Sequence, residues 1–277
     1  MLNSLTKYPK TTKPLAEILM RRMRNLANSE NGHCYILGNG GSLKYLNLKL
    51  LSSDVVIGCN FQFIHNQSNS INLKYFTSLD PVATYGEKGT PIRMRFEKYI
   101  KDHHEISFFL GMRDLFRVTG KNVYHLAPLG NNWPGNLNRH KRILFKSDSQ
   151  PLLGSLRGQI NLAIFLGFKS ATLVGHDYLL SPTISGHFYE FGHGATVDLY
   201  GWNSEFLEYA TKFIDLKILS PKPATSMIPI IAQAESSKLI SQYRENFEIV
   251  DGSDLHILAR ANAQYGFGYS LFQVPTQ

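Results

Sequence analysis

The sequence is poor in cysteine: Cys34 and Cys59 are the only two in 277 residues. That excludes a disulfide framework and a cysteine-based zinc set. Both fall at predicted strand ends, where a small buried side chain is the expected role, and the usage suits a reducing cytoplasm. No apolar run reaches about 18 residues, so no transmembrane helix is expected. Met1 to Pro14 are polar and lack the apolar core of an export signal, so export is not expected either. Internal repeats and low-complexity stretches are missing. Acidic residues are the minority, 21 against 29 Lys and Arg, giving a net charge of +8 with ten histidines uncounted. Such a balance points to an anionic ligand or surface. The charge is scattered over Arg21, Arg22 and Arg24, Arg93 and Arg95, and Arg139, Lys141 and Arg142. No run among these forms a nucleic-acid arm, and an ordinary solvated basic surface explains them equally well.

The most informative stretch is Cys34-Tyr35-Ile36-Leu37-Gly38-Asn39-Gly40-Gly41-Ser42-Leu43. Its apolar run reads as a buried strand, and its glycines allow a sharp turn and close approach to a ligand. Ser42 sits where a helix would start and cap free N–H groups. A helix start behind a glycine turn is an anion site, so a nucleotide or phosphate cradle is expected here; a plain turn is the other reading. Neither the Gly-x-Gly-x-x-Gly nor the Gly-Lys-Ser/Thr fingerprint is present.

Along the chain, Pro14 to Ala27 reads as an amphipathic helix with Leu15, Ile18, Leu19, Met23 and Leu26 on one side. Asp54 to Asn60 reads as a second strand and Leu73 to Pro81 as a third. Asn39, Asn60 and Asp80 thus follow three successive strands. In an open α/β sheet the ligand crevice lies at the carboxyl ends of the strands, where these side chains would read a base or a ribose; as turn formers they need no ligand. Arg93 to Tyr99 reads as helix, and Ile106 to Leu110 and Asn122 to Leu126 as short strands. Gly130 to Asn136, with Trp133, reads as a loop that either contacts sugar or covers the surface.

Gly154 and Ser155 open a mostly buried helix that Gly167 closes. A strand follows from Ala171 and ends in Gly175-His176-Asp177-Tyr178, so helix then strand supports a parallel sheet. The loop from Leu179 to Asp198 carries His187, Tyr189 and His193. A histidine there suits proton transfer. His176, His187 and His193 with Asp177 would alternatively form a metal site, although their spacing matches no strong metal motif; structural hydrogen bonding is the third reading. Asn203 to Ile214 reads as helix, Leu216 to Leu219 as strand, and Glu235 to Asn246 and Ser253 to Gln264 as C-terminal helices. The expected organisation is an N-terminal helix (1–30), an α/β domain (31–225) and C-terminal helices with a tail (226–277).

These motifs, in this order, resemble bacterial sialyltransferases of glycosyltransferase family 42. Gly38-Asn39-Gly40-Gly41-Ser42-Leu43 matches that family's Gly-Asn-Gly-Pro-Ser-Leu except at Gly41, and Cys59-Asn60 matches its Cys-Asn strand end. Asp80-Pro81 stands where the family has Asn-Pro, and Ser155 where it has a Ser-Gly helix start. Leu166-Gly167-Phe168-Lys169, Gly175-His176-Asp177-Tyr178, and Gly192-His193 with Thr196 and Asp198 also correspond. The resemblance covers roughly residues 33 to 225. It implies an α/β fold, a Rossmann-like mostly parallel sheet flanked by helices (a GT-A variant), with a small lid around residues 179–200. It further implies transfer of sialic acid or a related nonulosonic acid from a CMP-linked donor to a glycan acceptor, with inversion and without metal or other cofactor. His193 would be the general base, and Tyr178 or Tyr189 would hold the leaving phosphate, because the family's two phosphate tyrosines have no direct counterparts. Gly38, Asn39, Gly40, Ser42, Asn60, Asp80, Ser155 and Asp177 would bind the nucleotide. The setting would be bacterial lipopolysaccharide or capsule synthesis in the cytoplasm or at the inner membrane face, with peripheral membrane contact and a homo-oligomer both open. The pattern also resembles the group of 6-hydroxymethylpterin pyrophosphokinase and the motility accessory factors. That likeness implies a Mg²⁺-nucleotide transferase with Asp80 or Asp177 near the metal. A nucleotide-sugar-binding protein without catalysis is the non-enzyme alternative.

Overall fold

The structure, a computed structural model, describes residues 18–19, 21–79, 90–111, 114–115, 117–126, 154–191, 203–231 and 237–265. Its centre is a sheet of seven parallel strands: β1 (His33–Leu37), β2 (Val55–Cys59), β3 (Leu73–Ser78), β4 (Ser107–Gly111), β5 (Val123–Leu126), β6 (Ser170–Val174) and β8 (Asp215–Ile218). Their order across the sheet is β5-β4-β3-β2-β1-β6-β8. A two-stranded antiparallel ribbon joins β7 (Leu180–Ser181) to β9 (Thr225–Ser226). The short apolar runs are strands because both faces of a parallel sheet are covered, so most of their side chains are buried, the edge strand β8 alternating.

Two cores follow from that. On one face α2 (Gly154–Leu166) packs Leu156, Ile160, Ala163 and Phe165 over Cys34, Ile36, Ile57 and Leu173, joined by Met23 and by Phe206 of α3 (Ser204–Ala210). On the other face α1 (Pro91–Asp102) sets Ile92, Phe96, Tyr99 and Ile100 against Phe76 and Phe108. Here α4 (Asn246–Ile249) and α5 (Gly252–Tyr265) add Ile249 and Leu258. An Arg95–Asp254 ion pair at 3.1 Å links α5 to α1. The expected α/β architecture is therefore present: a parallel Rossmann-like sheet with helices on both faces.

Gly167 closes α2 at φ +103°, a conformation that L side chains rarely adopt. The N–H groups of Gly167 and Phe168 both return to Ala163 O at 3.1 Å. The first helix is narrower than its periodicity predicts: Leu19 and Met23 are buried, but Ile18 is 57% exposed.

One expectation is corrected. Residues 237–245 are not helical. They form an extended strap whose main chain bonds to the segment after β1: Asn47 N–H to Leu239 O, Ser241 N–H to Tyr45 O and Arg244 N–H to Lys44 O. Those partners take the hydrogen bonds that a helix would have made within itself. Farther along, Ile249, Val250 and Leu258 lie inside the second core. Finally, the described part of the lid region, 179–191, is packed down: Phe188, Tyr189 and Glu190 are buried, and Phe188 N–H bonds to Asn39 O. Residues 192–200 lie outside the described part. No described helix is long and apolar enough to cross a membrane.

Candidate active site

β1 and β6 are neighbours, but the chain leaves them towards opposite edges of the sheet. That makes their carboxyl ends the topological switch point, the usual ligand crevice of such a fold. Here the crevice is closed by the protein itself. Gly38 N–H donates to Val174 O (2.7 Å), Gly40 N–H to Gly175 O (2.8 Å) and Gly41 N–H to Gly186 O (2.9 Å). Ser42 N–H donates to Asp177 Oδ2 at 2.7 Å. The turn's N–H groups, expected to hold a phosphate, are spent on main-chain oxygens and one carboxylate.

The glycines are required for the same reason. A Cβ on Gly38 would lie 2.9 Å from His176 Nδ1 and closer still to Gly175 O. One on Gly40 would collide with the Asp177 carboxylate and lie 2.7 Å from Gly175 O. The Ser42 cap is corrected as well. Gly41–Tyr45 is a 3-10 turn whose cap is Gly40, and the buried Ser42 hydroxyl has no hydrogen-bond partner among the described residues.

Asp177 is 4% exposed. Burial pushes its carboxyl up to about 6, against the opposing pull of Ser42 and His187. His176, beside it, is driven down to about 3 by burial. His187 pairs with Glu190, and the buried Lys44 ammonium donates to Glu190 O at 2.7 Å. Polar contacts thus hold the turn after β1 to the 176–190 loop.

The other side of the switch point differs. Asn39 Nδ2 donates to Cys59 O at 3.3 Å, leaving Asn39 Oδ1 without a partner among the described residues. Asn60 has φ +49°, which turns its side chain so that Nδ2 donates to Ser155 Oγ at 2.5 Å. Burial lifts the Cys59 thiol to about 12, with the Ser155 hydroxyl pulling the other way, so this cysteine is a neutral spacer. Gln159 of α2 lies over the same strand ends, its Nε2 donating to Leu37 O (2.8 Å) and Ile57 O (3.1 Å). Those two bonds fix the amide's orientation, and Gln159 Oε1 is unpartnered among the described residues, as are the Thr77 and Ser78 hydroxyls at the end of β3.

Of the expected residues, Asn39, Asn60 and Ser155 are brought together, with Gly38 and Gly40 shaping the wall behind them. Tyr178 packs against the α2-side core; burial raises its phenol, which keeps it a proton donor. Tyr189 lies in the core of the other face, stacked on His187 at 5.0 Å. On α2, Arg157 Nε donates to Asn203 Oδ1 at 2.9 Å. Asp80 and His193 lie outside the described residues, as does the loop 130–136. Among the described residues no three His, Cys, Asp or Glu side chains converge as a metal site. Gln159, Thr77 and Ser78 were missed from the sequence. The one available signal was a polar residue inside the apolar run of α2.

No protein-family model matches the chain, and no curated protein matches its sequence. Some solved structures are similar to the chain. One is the sialyltransferase CST-II in complex with a trisaccharide acceptor and CMP, 17% identical with a TM-score of 0.45, covering 81% of this chain and 97% of that one. Another is CstII from Campylobacter jejuni with a substrate analogue, cytidine-5'-monophosphate: 15% identical, TM-score 0.44, covering 83% and 98%. A third is the MAf glycosyltransferase from Magnetospirillum magneticum AMB-1, 16% identical with a TM-score of 0.41, covering 89% of this chain but 41% of that one.

Proposed function

We propose that this protein is a glycosyltransferase that takes a nonulosonic acid from a CMP-linked donor and adds it to a glycan acceptor of a bacterial surface polysaccharide. The observation that carries the reading is the convergence of Asn39, Asn60 and Ser155 from three separate elements on one set of strand ends. Their resemblance to the family's nucleotide-binding positions gives that convergence its meaning. Asn39 and Asn60 bind the nucleotide with Ser155, and Gly38, Gly40, Ser42 and Asp177 hold the turn in shape behind it. Asp80 completes the set in this proposal.

His193 takes the proton of the acceptor hydroxyl as that oxygen attacks the anomeric carbon. The bond to the CMP phosphate breaks on the opposite side, so the configuration inverts. The Tyr178 hydroxyl donates to the leaving phosphate, which stabilises developing charge without a metal. Tyr178 is preferred to Tyr189 because it lies on the α2 side with Ser155. The reaction is proposed to need no cofactor, and to run in the cytoplasm or at the inner membrane face.

Thermal shift with CMP, UDP, GDP and ATP, each with and without Mg²⁺, is the first test, because a ligand of the native state raises Tm. CMP is expected to act without Mg²⁺, and release of CMP from CMP-N-acetylneuraminic acid is expected to survive EDTA. His193→Ala is expected to cut that turnover at least about a hundredfold while the CMP shift remains. A shift with Mg²⁺-ATP alone would replace this reading with the pyrophosphokinase-like one.

A further inference from the structure

A pocket of about 740 Å³ opens beside the turn after β1, and neither Asn60 nor Ser155 is among its lining residues. It lies between the segment after β1, the 182–185 loop, the turn after β8 and the strap, and is lined by Gly41, Lys44, Tyr45, Lys222, Tyr243 and Glu245 among others. This volume falls in the range of small-ligand sites. The wall chemistry is specific. Tyr45 and Tyr243 meet with ring centroids 5.0 Å apart at 53°. Lys222 Nζ stands 4.6 Å from the Tyr45 centroid and Lys44 Nζ 6.0 Å from that of Tyr243. The Tyr243 hydroxyl donates to Glu245 at 3.4 Å.

Phenol rings offer an apolar face to the C–H side of a sugar while their hydroxyls bond at the edge. The two lysines outnumber the one carboxylate. Lys222 is exposed and makes no ion pair among the described residues, so its cation is available to an incoming anion. The turn after β1 joins two of these walls: Gly41 N–H bonds to Gly186 O next to the 182–185 loop, and the strap hydrogen-bonds along Lys44 and Tyr45.

We infer that this pocket binds the acceptor, specifically an oligosaccharide with an acidic sugar whose carboxylate pairs with Lys222 and whose ring packs on Tyr45 and Tyr243. The inference rests on the glycosyltransferase reading for the word acceptor, but the binding itself does not.

The test is binding without donor. Saturation-transfer NMR and titration would use digalacturonate and 3'-sialyllactose as acidic probes and lactose as the neutral control, on wild type, Lys222→Glu, Tyr243→Ala and Asn60→Gly. At least one acidic probe is expected to bind more tightly than lactose. Lys222→Glu is expected to weaken it by about tenfold or more, as for loss of a hydrogen bond to a charged group. Tyr243→Ala is expected to weaken both acidic and neutral probes, and Asn60→Gly neither. Equal binding by wild type and Lys222→Glu overturns the inference, as does failure of both acidic probes. Lys222-dependent binding in a protein that ignores CMP would keep the pocket and sink the function proposed above.

Discussion

The two sides of the Gly38–Ser42 turn are built on opposite plans. Towards β6 the loops touch backbone to backbone, and the turn's N–H groups meet carbonyls and the Asp177 carboxylate. Towards β2 and β3 the contacts are made by side chains, and Asn39, Gln159, Thr77 and Ser78 keep polar atoms with no partner among the described residues. A glycine-rich turn after the first strand therefore need not be a phosphate cradle. In this fold it is a seam, and the seam aims the amides beside it.

The largest effect expected from breaking the seam is that of Gly40→Ala. Its Cβ would meet the Asp177 carboxylate and the Gly175 carbonyl. Overpacking of that kind costs about 3 kcal/mol or more when the neighbour is backbone, which lowers Tm by about 6–12 °C in a chain of this size. An unchanged melting curve would mean that the two loops are not in contact. On the side built from side chains, Asn60→Gly keeps the backbone at φ +49° comfortable and removes the amide. Nucleotide affinity is expected to fall by about tenfold, the worth of one good hydrogen bond to a ligand, with little change in Tm. A fall in Tm as large as that of Gly40→Ala would erase the distinction between the sides.

The next effect is in pH. Asp177 has its native pKa raised to about 6, so the native state binds a proton more readily than the unfolded one, and this group's contribution to stability is lost as pH rises from about 4 through 6. His176, lowered from 6.5 to about 3, does the reverse: its contribution is lost as pH falls from about 6.5 towards 3. Asp177→Asn should therefore raise Tm more at pH 8 than at pH 5, and His176→Gln should soften the acid decline. Parallel pH profiles for wild type and both variants would count against a buried seam. The smallest effect is that of Ser42→Ala, which removes a buried hydroxyl with no partner among the described residues and keeps the N–H that Asp177 holds. Stability should stay within about 0.5 kcal/mol and CMP affinity should hold. A tenfold loss of affinity would show the nucleotide reaching across the seam.

What was legible in the sequence follows the same division. The strands β1 to β6 were readable because their runs are largely apolar and largely buried, and β8 because buried Leu216 and Ile218 alternate with exposed Asp215 and Lys217. Gly167 was readable as a stop because it follows a buried run directly. Asn39, Asn60 and Ser155 were readable only as strand-end and helix-start residues; their meeting is a matter of topology. The seam was hidden because Gly, Ser and Asp look alike whether they face a ligand or each other. The strap was misread as helix because its hydrogen bonds go to residues near position 45, far from any local periodicity. Gln159 was hidden inside an apolar helix, where one polar residue is the mark of a main-chain partner rather than of solvent.

The strap also sets a timetable for the chain as it is made. Arg244 reaches the carbonyl of Leu46 across 198 positions of sequence, and Ser241 and Arg244 complete the bonding of Tyr45 and Lys44. At a synthesis rate of roughly 5–20 residues per second, those partners emerge on the order of ten seconds or more after the turn they secure. The segment after β1 is thus written well before it is fastened, so a nascent chain carries an unfinished pocket until its downstream strap arrives.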